Sequence, residues 1–357
     1  MKLNPLLKVL MLFILVSGAV SVFSQNKQRA IRIEDKPWTE AKTLLRDTSI
    51  VVIPLGAESK EHGPHLHLKN DWLIAQYLTN RIAKDQSVVI YPTINYHFYP
   101  AFLEYAGSTS LRLETAYSMI VDLCRVISAH GPKKFYILNT GVSTMIPLKI
   151  AREILARQGI QMVYTDILNI GGEAEKKIKQ QPEGTHADEI ETSMMLYIAP
   201  ETVDMKKAAR DIPEKSGPGP LTLIPNNPNG RYSPTGIYGD ATLASREKGK
   251  IVVEAMVFGI NKEINALRMA GPINISPLQN IESIIGTYLL SGGGEIHITS
   301  VDGQLYLEGK TPRKIPLVRQ TENSFTLGER GRIVFFPNEK ESILYLNMEG
   351  TDFLGKK

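Results

Sequence analysis

From Ser49 onward the chain alternates short, unbroken apolar runs with longer amphipathic stretches. Ile50-Val51-Val52-Ile53-Pro54-Leu55, Val88-Val89-Ile90-Tyr91, Phe135-Tyr136-Ile137-Leu138 and Met162-Val163-Tyr164 predict buried strands. Between them the apolar spacing predicts helices over 71–83, 113–129, 146–157 and 187–198, with a longer one over 242–269. Strands with no polar face are covered on both sides. The pattern therefore predicts an α/β domain, a mostly parallel sheet with helices on both faces. The Pro/Gly/Asn-rich stretch 211–239 fits no regular element and is long for a connection, which marks it as a binding loop or lid.

After Gly271-Pro272 the period changes to short β-type segments at 284–290, 295–299, 304–308, 333–336 and 343–346, with Asp302-Gly303 as a hairpin signal. These predict a small antiparallel, barrel-like domain over 273–357, following the α/β domain over 25–272. The extreme N-terminus reads differently. Lys2 and Lys8 precede the apolar run from Val9 to Val16, and Val22 and Ser24 suit the small-residue cleavage positions of a signal peptide over 1–24. The expectation is a secreted or periplasmic protein; a retained membrane anchor or a buried helix is the alternative.

Hydrophobic residues at 43% and charged residues at 22% exclude a disordered, collagenous or coiled-coil chain. The formal charge is 41 − 37 = +4 with no Lys/Arg block, which argues against nucleic acid as partner. Beyond the leader no stretch is long and apolar enough for a permanent membrane span. The single cysteine, Cys124, excludes an intramolecular disulfide and falls on the apolar side of a predicted helix, as a buried thiol would.

The chemistry concentrates after the first strand, where Glu58, Glu61, His62, His65, His67 and Asp71 fall within fourteen residues. Open α/β sheets place their ligands at such strand ends. Imidazole and carboxylate without cysteine suit zinc, manganese or iron. Taken singly, Asn70 and Asp71 also fit a helix start. Neither a Gly-x-Ser-x-Gly elbow nor a phosphate loop is present.

Four segments, in order, carry a resemblance. Glu61-His62-Gly63-Pro64-His65-Leu66, with Asp71 nine residues past His62, resembles the metal-binding loop of the creatininase (creatinine amidohydrolase) family. Ala106-Gly107-Ser108-Thr109-Ser110-Leu111 resembles its Gly-Thr segment, and His186-Ala187-Asp188-Glu189-Ile190-Glu191-Thr192-Ser193 its His-Ala-Gly-Glu-x-Glu-Thr-Ser stretch. Gly236 to Ala244, followed by Glu247-Lys248-Gly249, resembles its last signature. The resemblance spans 45–268. It implies an α/β amidohydrolase with divalent metal, zinc or manganese, two per chain in the family, and a homo-oligomer. It further implies His62, Asp71 and Glu191 as ligands, with Asp71 bridging, and His186 as a proton-transfer residue. Glu191 thereby joins His186 as a catalytic candidate. Thr185 and Asp188 also fit a helix-capping pair. The C-terminal segments Gly286-Thr287-Tyr288, Asp302 to Leu307 and Pro316-Leu317 resemble a small β-barrel module appended to secreted bacterial hydrolases.

Two positions depart from the family. Its Glu-x-His places a carboxylate where this chain has Lys60, so Glu61, or failing that Glu58, is expected to supply it. Its Asn-Gly-His-Gly-Gly-Asn corresponds to Asn139-Thr140-Gly141-Val142-Ser143-Thr144, so Gly141 stands at a histidine ligand. His97 is the expected replacement, ahead of His67 and His65, although its aromatic flanks fit a packed histidine equally. Tyr96, Tyr99, Phe102 and Tyr105, with Ser108, are expected to line the substrate pocket. The resulting expectation is a secreted metal-dependent hydrolase of a small amide, cyclic amides included, with one or two metals. The alternatives are a catalytically silent relative that binds a small molecule or peptide, and an assembly protein acting through its β-domain.

Overall fold

The structure, a computed structural model, describes residues 30–156, 158–212, 220–273, 281–290, 293–310, 314–319, 324–328, 330–337, 342–348 and 351–357. The expected signal peptide lies outside them. Five parallel strands form the first sheet: β1 (Ile31–Arg32), β2 (Ile50–Leu55), β3 (Val89–Ile90), β4 (Lys134–Asn139) and β5 (Gln161–Tyr164), in the order β1-β3-β2-β4-β5. Every residue of β2 is buried, and alternate residues serve opposite faces. Val51, Ile53 and Leu55 pack with Ile120, Cys124 and Leu148 of the helices Leu113–Ser128 and Met145–Ala156. Ile50 and Val52 pack with Ile74 and Leu78 of the helix Asn70–Asp85, and with Val253 and Met256 of Arg246–Met269. That two-sided burial explains why these strands lack a polar face.

From β2 the chain moves to β3 on one side; from β4 it moves to β5 on the other. The strand order thus reverses between β2 and β4, and a crevice opens at their C-terminal ends. Both the loop that begins at Gly56 and the Thr140–Thr144 turn leave the sheet there.

The C-terminal domain is a nine-stranded antiparallel sheet. Its hairpin Glu295–Val301 and Gln304–Glu308 turns at Asp302-Gly303 as the sequence predicts. The last strand, Thr351–Lys356, pairs with both Gly286–Leu290 and Ser342–Met348 and so joins the two halves of the sheet. A separate core of Tyr288, Ile298, Leu307, Phe335 and Leu346 fills it. Val334 and Tyr345 instead join the α/β core: the Tyr345 ring meets Tyr117 edge-on at 5.6 Å, and Arg332 pairs with Glu114. Among the described residues no helix is long and apolar enough to cross a membrane.

Candidate metal centre

The loop after β2 folds back on itself. Lys60 N donates to Leu68 O at 3.1 Å, and Trp72 N to Ala57 O at 3.0 Å. Thr140 Oγ1, from the neighbouring turn, donates to Leu55 O at 3.1 Å and Asp71 O at 3.2 Å, tying that turn to the start of the helix Asn70–Asp85. Lys60, Glu61, His62 and Asp71 are all buried as a result. Across from them, His186 pairs through its backbone with Tyr238. Asp188 then caps the helix Glu189–Ile198, accepting from Ile190 N and Glu191 N at 3.0 Å. Glu191 in the first turn reaches back, its Oε2 accepting from Ala187 N at 2.7 Å.

His62 lies at the centre. Its Nδ1 faces the Lys60 carbonyl at 2.8 Å, so that nitrogen carries the proton and donates. Its Nε2 lies 3.0 Å from Asp71 Oδ1 and 3.4 Å from Glu191 Oε1. A lone pair on Nε2 would face two anionic oxygens. A cation among the three atoms turns that repulsion into coordination, and the carbonyl-bound Nδ1–H is the arrangement that metal-ligating histidines use. His62, His186 and Glu191 each offer a ligand atom, all within 4.8 Å of one another. Neutral imidazole with carboxylate suits zinc or manganese. The residues present therefore fit a divalent metal.

Two charged pairs flank this centre. His186 Nε2 lies 3.0 Å from Glu61 Oε2, while its Nδ1 faces Glu191 Oε2 at 3.8 Å. Gly236, at φ +76°, passes so close to Glu61 that a Cβ there would strike the carboxylate, which explains the glycine. On the other side Lys60 Nζ pairs with Asp71 Oδ2 at 2.7 Å. Among the described residues Oδ2 accepts no other donor. Burial pushes the Asp71 carboxyl up, but Lys60 and His62 override it and hold the group well below the usual carboxylate range. Glu191 follows the same balance: burial raises it, and His62, His186 and Lys60 bring it down.

A cavity of about 320 Å³ opens beside these groups. Lys60, Asp71, His186 and Glu191 form its polar end, and Ile74, Val142, Leu168 and Met256 an apolar wall.

His62, Asp71, Glu191 and His186 thus converge as the motifs imply. Glu61, expected as a metal ligand, instead binds His186, because the main chain aims Lys60 and not Glu61 at Asp71. Glu58 is exposed and accepts from Asn95 Nδ2 at 2.9 Å. His97 does not join the cluster. It is fully buried, its Nε2 bonds Ala116 O at 3.1 Å, and burial pushes it down to about 4. His65 bonds Thr192 Oγ1 at 2.8 Å, and His67 is exposed. Of the expected pocket residues Phe102 lines the cavity, with Ala101 beside it, whereas Tyr96, Tyr99, Tyr105 and Ser108 do not. Tyr96 is 50% exposed, Tyr105 OH donates to Ser233 O, and Ser108 Oγ accepts from Glu61 N, fixing the loop. Tyr99 is buried under Lys60, whose Nζ lies 5.7 Å from the ring centre. Lys60 and Asn70, whose Nδ2 donates to Glu191 Oε1 at 2.9 Å, are site residues that motif reading overlooks.

Comparison with known proteins gives the family. The family model described as creatinine amidohydrolase matches residues 34–264. The chain belongs to the creatininase family. It is 25% identical over 256 residues to the creatinine amidohydrolase of Pseudomonas putida, covering 65% of this chain and 95% of that one. It is 23% identical over 265 residues to a 3-dehydro-scyllo-inosose hydrolase of Thermotoga maritima (65% and 82% covered). To the mycofactocin precursor peptide peptidase of Mycobacterium ulcerans it is 26% identical over 220 residues (58% and 81% covered). Among solved structures, a manganese form of creatininase matches with TM-score 0.57 at 21% identity, over 68% of this chain and 100% of that one. A Zn–Zn form of a creatininase mutant matches with TM-score 0.56, also at 21% identity and the same coverage. These two likenesses concern the fold.

Proposed function

We propose that the protein is a metal-dependent hydrolase that cleaves a C–N bond in a small amide, cyclic amides included. The observation that carries this reading is the meeting of His62 Nε2 with Asp71 Oδ1 at 3.0 Å and Glu191 Oε1 at 3.4 Å beside a cavity. His62, Asp71 and Glu191 would hold the cation, which supplies an acidified water and draws charge from a carbonyl oxygen. The remaining work falls to the chain itself. Glu61 holds the His186 Nε2–H at 3.0 Å, so Nδ1 is the nitrogen free to take a proton and pass it to the leaving nitrogen. The Phe102 ring, 4.3 Å from the His186 ring, restrains the imidazole and screens it from water. The apolar wall favours a substrate with an apolar part. The relatives named above are hydrolases, which supports the reaction class. The leader-like segment 1–24 supports export, and the family resemblance supports a homo-oligomer; we propose both.

The test is a screen of the metal-loaded full chain against creatinine, hydantoins and N-acyl amides, read by mass spectrometry. The reading expects turnover of at least one of them, lost on chelation, regained with zinc or manganese, and lowered about 100-fold or more in His186→Ala. Metal binding without any amide turnover would transfer the assignment to a silent small-molecule binder. Lys60 and Gly141, at positions where the family places ligands, favour that second reading.

A further inference from the structure

We propose that Lys60 is a permanent cation of the site, standing beside a single divalent metal, so that each chain binds one metal equivalent and not two. This rests on the reading of His62, Asp71 and Glu191 as metal ligands. The two oxygens of Asp71 are divided. Oδ1 lies on the His62 side, 3.0 Å from Nε2; Oδ2 lies 2.7 Å from the Lys60 ammonium. The lysine side chain is only 7% exposed, and Asp71 is its one ion-pair partner among the described residues. The Phe102 ring centre lies 5.0 Å from Nζ and that of Tyr99 5.7 Å, so aromatic faces supply the rest of its surroundings. A buried ammonium is costly unless its counter-charge stays in place.

A second divalent ion on Oδ2 would have to displace that ammonium and find further ligands. Besides Asp71, the side chains in contact with the Lys60 ammonium among the described residues are the Tyr99 and Phe102 rings, and neither is an imidazole or a carboxylate. Gly141 cannot recruit one. A Cβ there would meet Thr144 Oγ1 at 2.8 Å and Tyr99 Cε1 at 3.4 Å, so the space for a longer side chain is already filled. Among the described residues the one group of three His, Cys, Asp or Glu side chains with ligand atoms all within 4.8 Å of one another is His62, His186 and Glu191, so no second such group lies on the Lys60 side. Lys60 also lines the cavity. Its charge therefore faces both Asp71 and the space where a substrate oxygen would sit, and it is covalently retained where a metal would exchange.

The test is titration of the metal-free full chain with zinc or manganese against a chromophoric chelator, together with elemental analysis. Wild type is expected to bind one equivalent. Lys60→Met and Lys60→Gln are expected to bind one equivalent about tenfold or more tightly, because a repelling charge is gone and Asp71 Oδ2 is released to the metal. A lysine with a merely structural role would leave affinity unchanged or weaken it. Two equivalents in wild type would overturn the proposal, as would unchanged or weaker binding in both variants with native circular dichroism. Wild-type stoichiometry decides even if neither variant folds. No equivalent at all, with none recovered on adding either metal, would remove the hydrolase reading itself and the proposal with it.

Discussion

Glu61 Oε2 and His186 Nε2 meet at 3.0 Å across 125 residues of chain, and both side chains are buried. The carboxylate thereby fixes which imidazole nitrogen remains available. Glu61→Gln keeps the size of the side chain and removes its charge. The account predicts unchanged metal content and an amide-hydrolysis rate lowered about 10- to 100-fold. Loss of metal in this variant would return Glu61 to the ligand set.

At Gly141 the prediction concerns packing. An added methyl would meet Thr144 Oγ1 at 2.8 Å and Cγ2 at 3.2 Å. Thr144 is itself held, donating from Oγ1 to Gly141 O at 2.7 Å. Gly141→Ala should therefore destabilise the fold by about 1–3 kcal/mol, measured by urea unfolding. In Gly141→Ala/Thr144→Ala the two effects should sum to less than their separate values, because the clash is relieved. Simple additivity would show that the turn relaxes without Thr144.

His97 gives a pH signature. Burial depresses it to about 4 in the folded protein, whereas the unfolded chain protonates near its ordinary value of 6.5. Between these values the unfolded state binds the extra proton, so stability falls as pH drops through that window and is fully present above it. The loss from this residue is on the order of 3 kcal/mol. Comparison of wild type with His97→Gln by urea unfolding at pH 7.5 and 5.0 should show the smaller drop in the variant. Equal drops would place the pH response elsewhere.

Much of the first domain is legible from local pattern because β2 is apolar on both faces and the helix Asn70–Asp85 carries a regular apolar stripe. The helix Gly172–Ile178 is not, since Gly-Glu-Ala-Glu-Lys-Lys-Ile has no such stripe. Nor is β1, two residues whose strand character comes only from pairing with Val89 and Ile90. The site divides in the same way. His62, Asp71, His186 and Glu191 carry recognisable spacing. In the sequence Lys60 stands out only as a departure from the family's carboxylate, and it is the fold-back bonding its amide to Leu68 O that buries it. His97 sits among aromatics either as ligand or as core, and what decides is a carbonyl nineteen residues away, that of Ala116.

The account's central claim is a divalent metal held by His62, Asp71 and Glu191, and elemental analysis of the purified full chain beside its Asp71→Asn variant tests it most directly. Asparagine preserves the shape of the side chain and removes the charge that draws both Lys60 and the metal. The account predicts zinc or manganese in the wild type and its loss, by about tenfold or more in affinity, in Asp71→Asn. Equal metal content in the two proteins, or none in the wild type even after zinc and manganese are supplied, would contradict it.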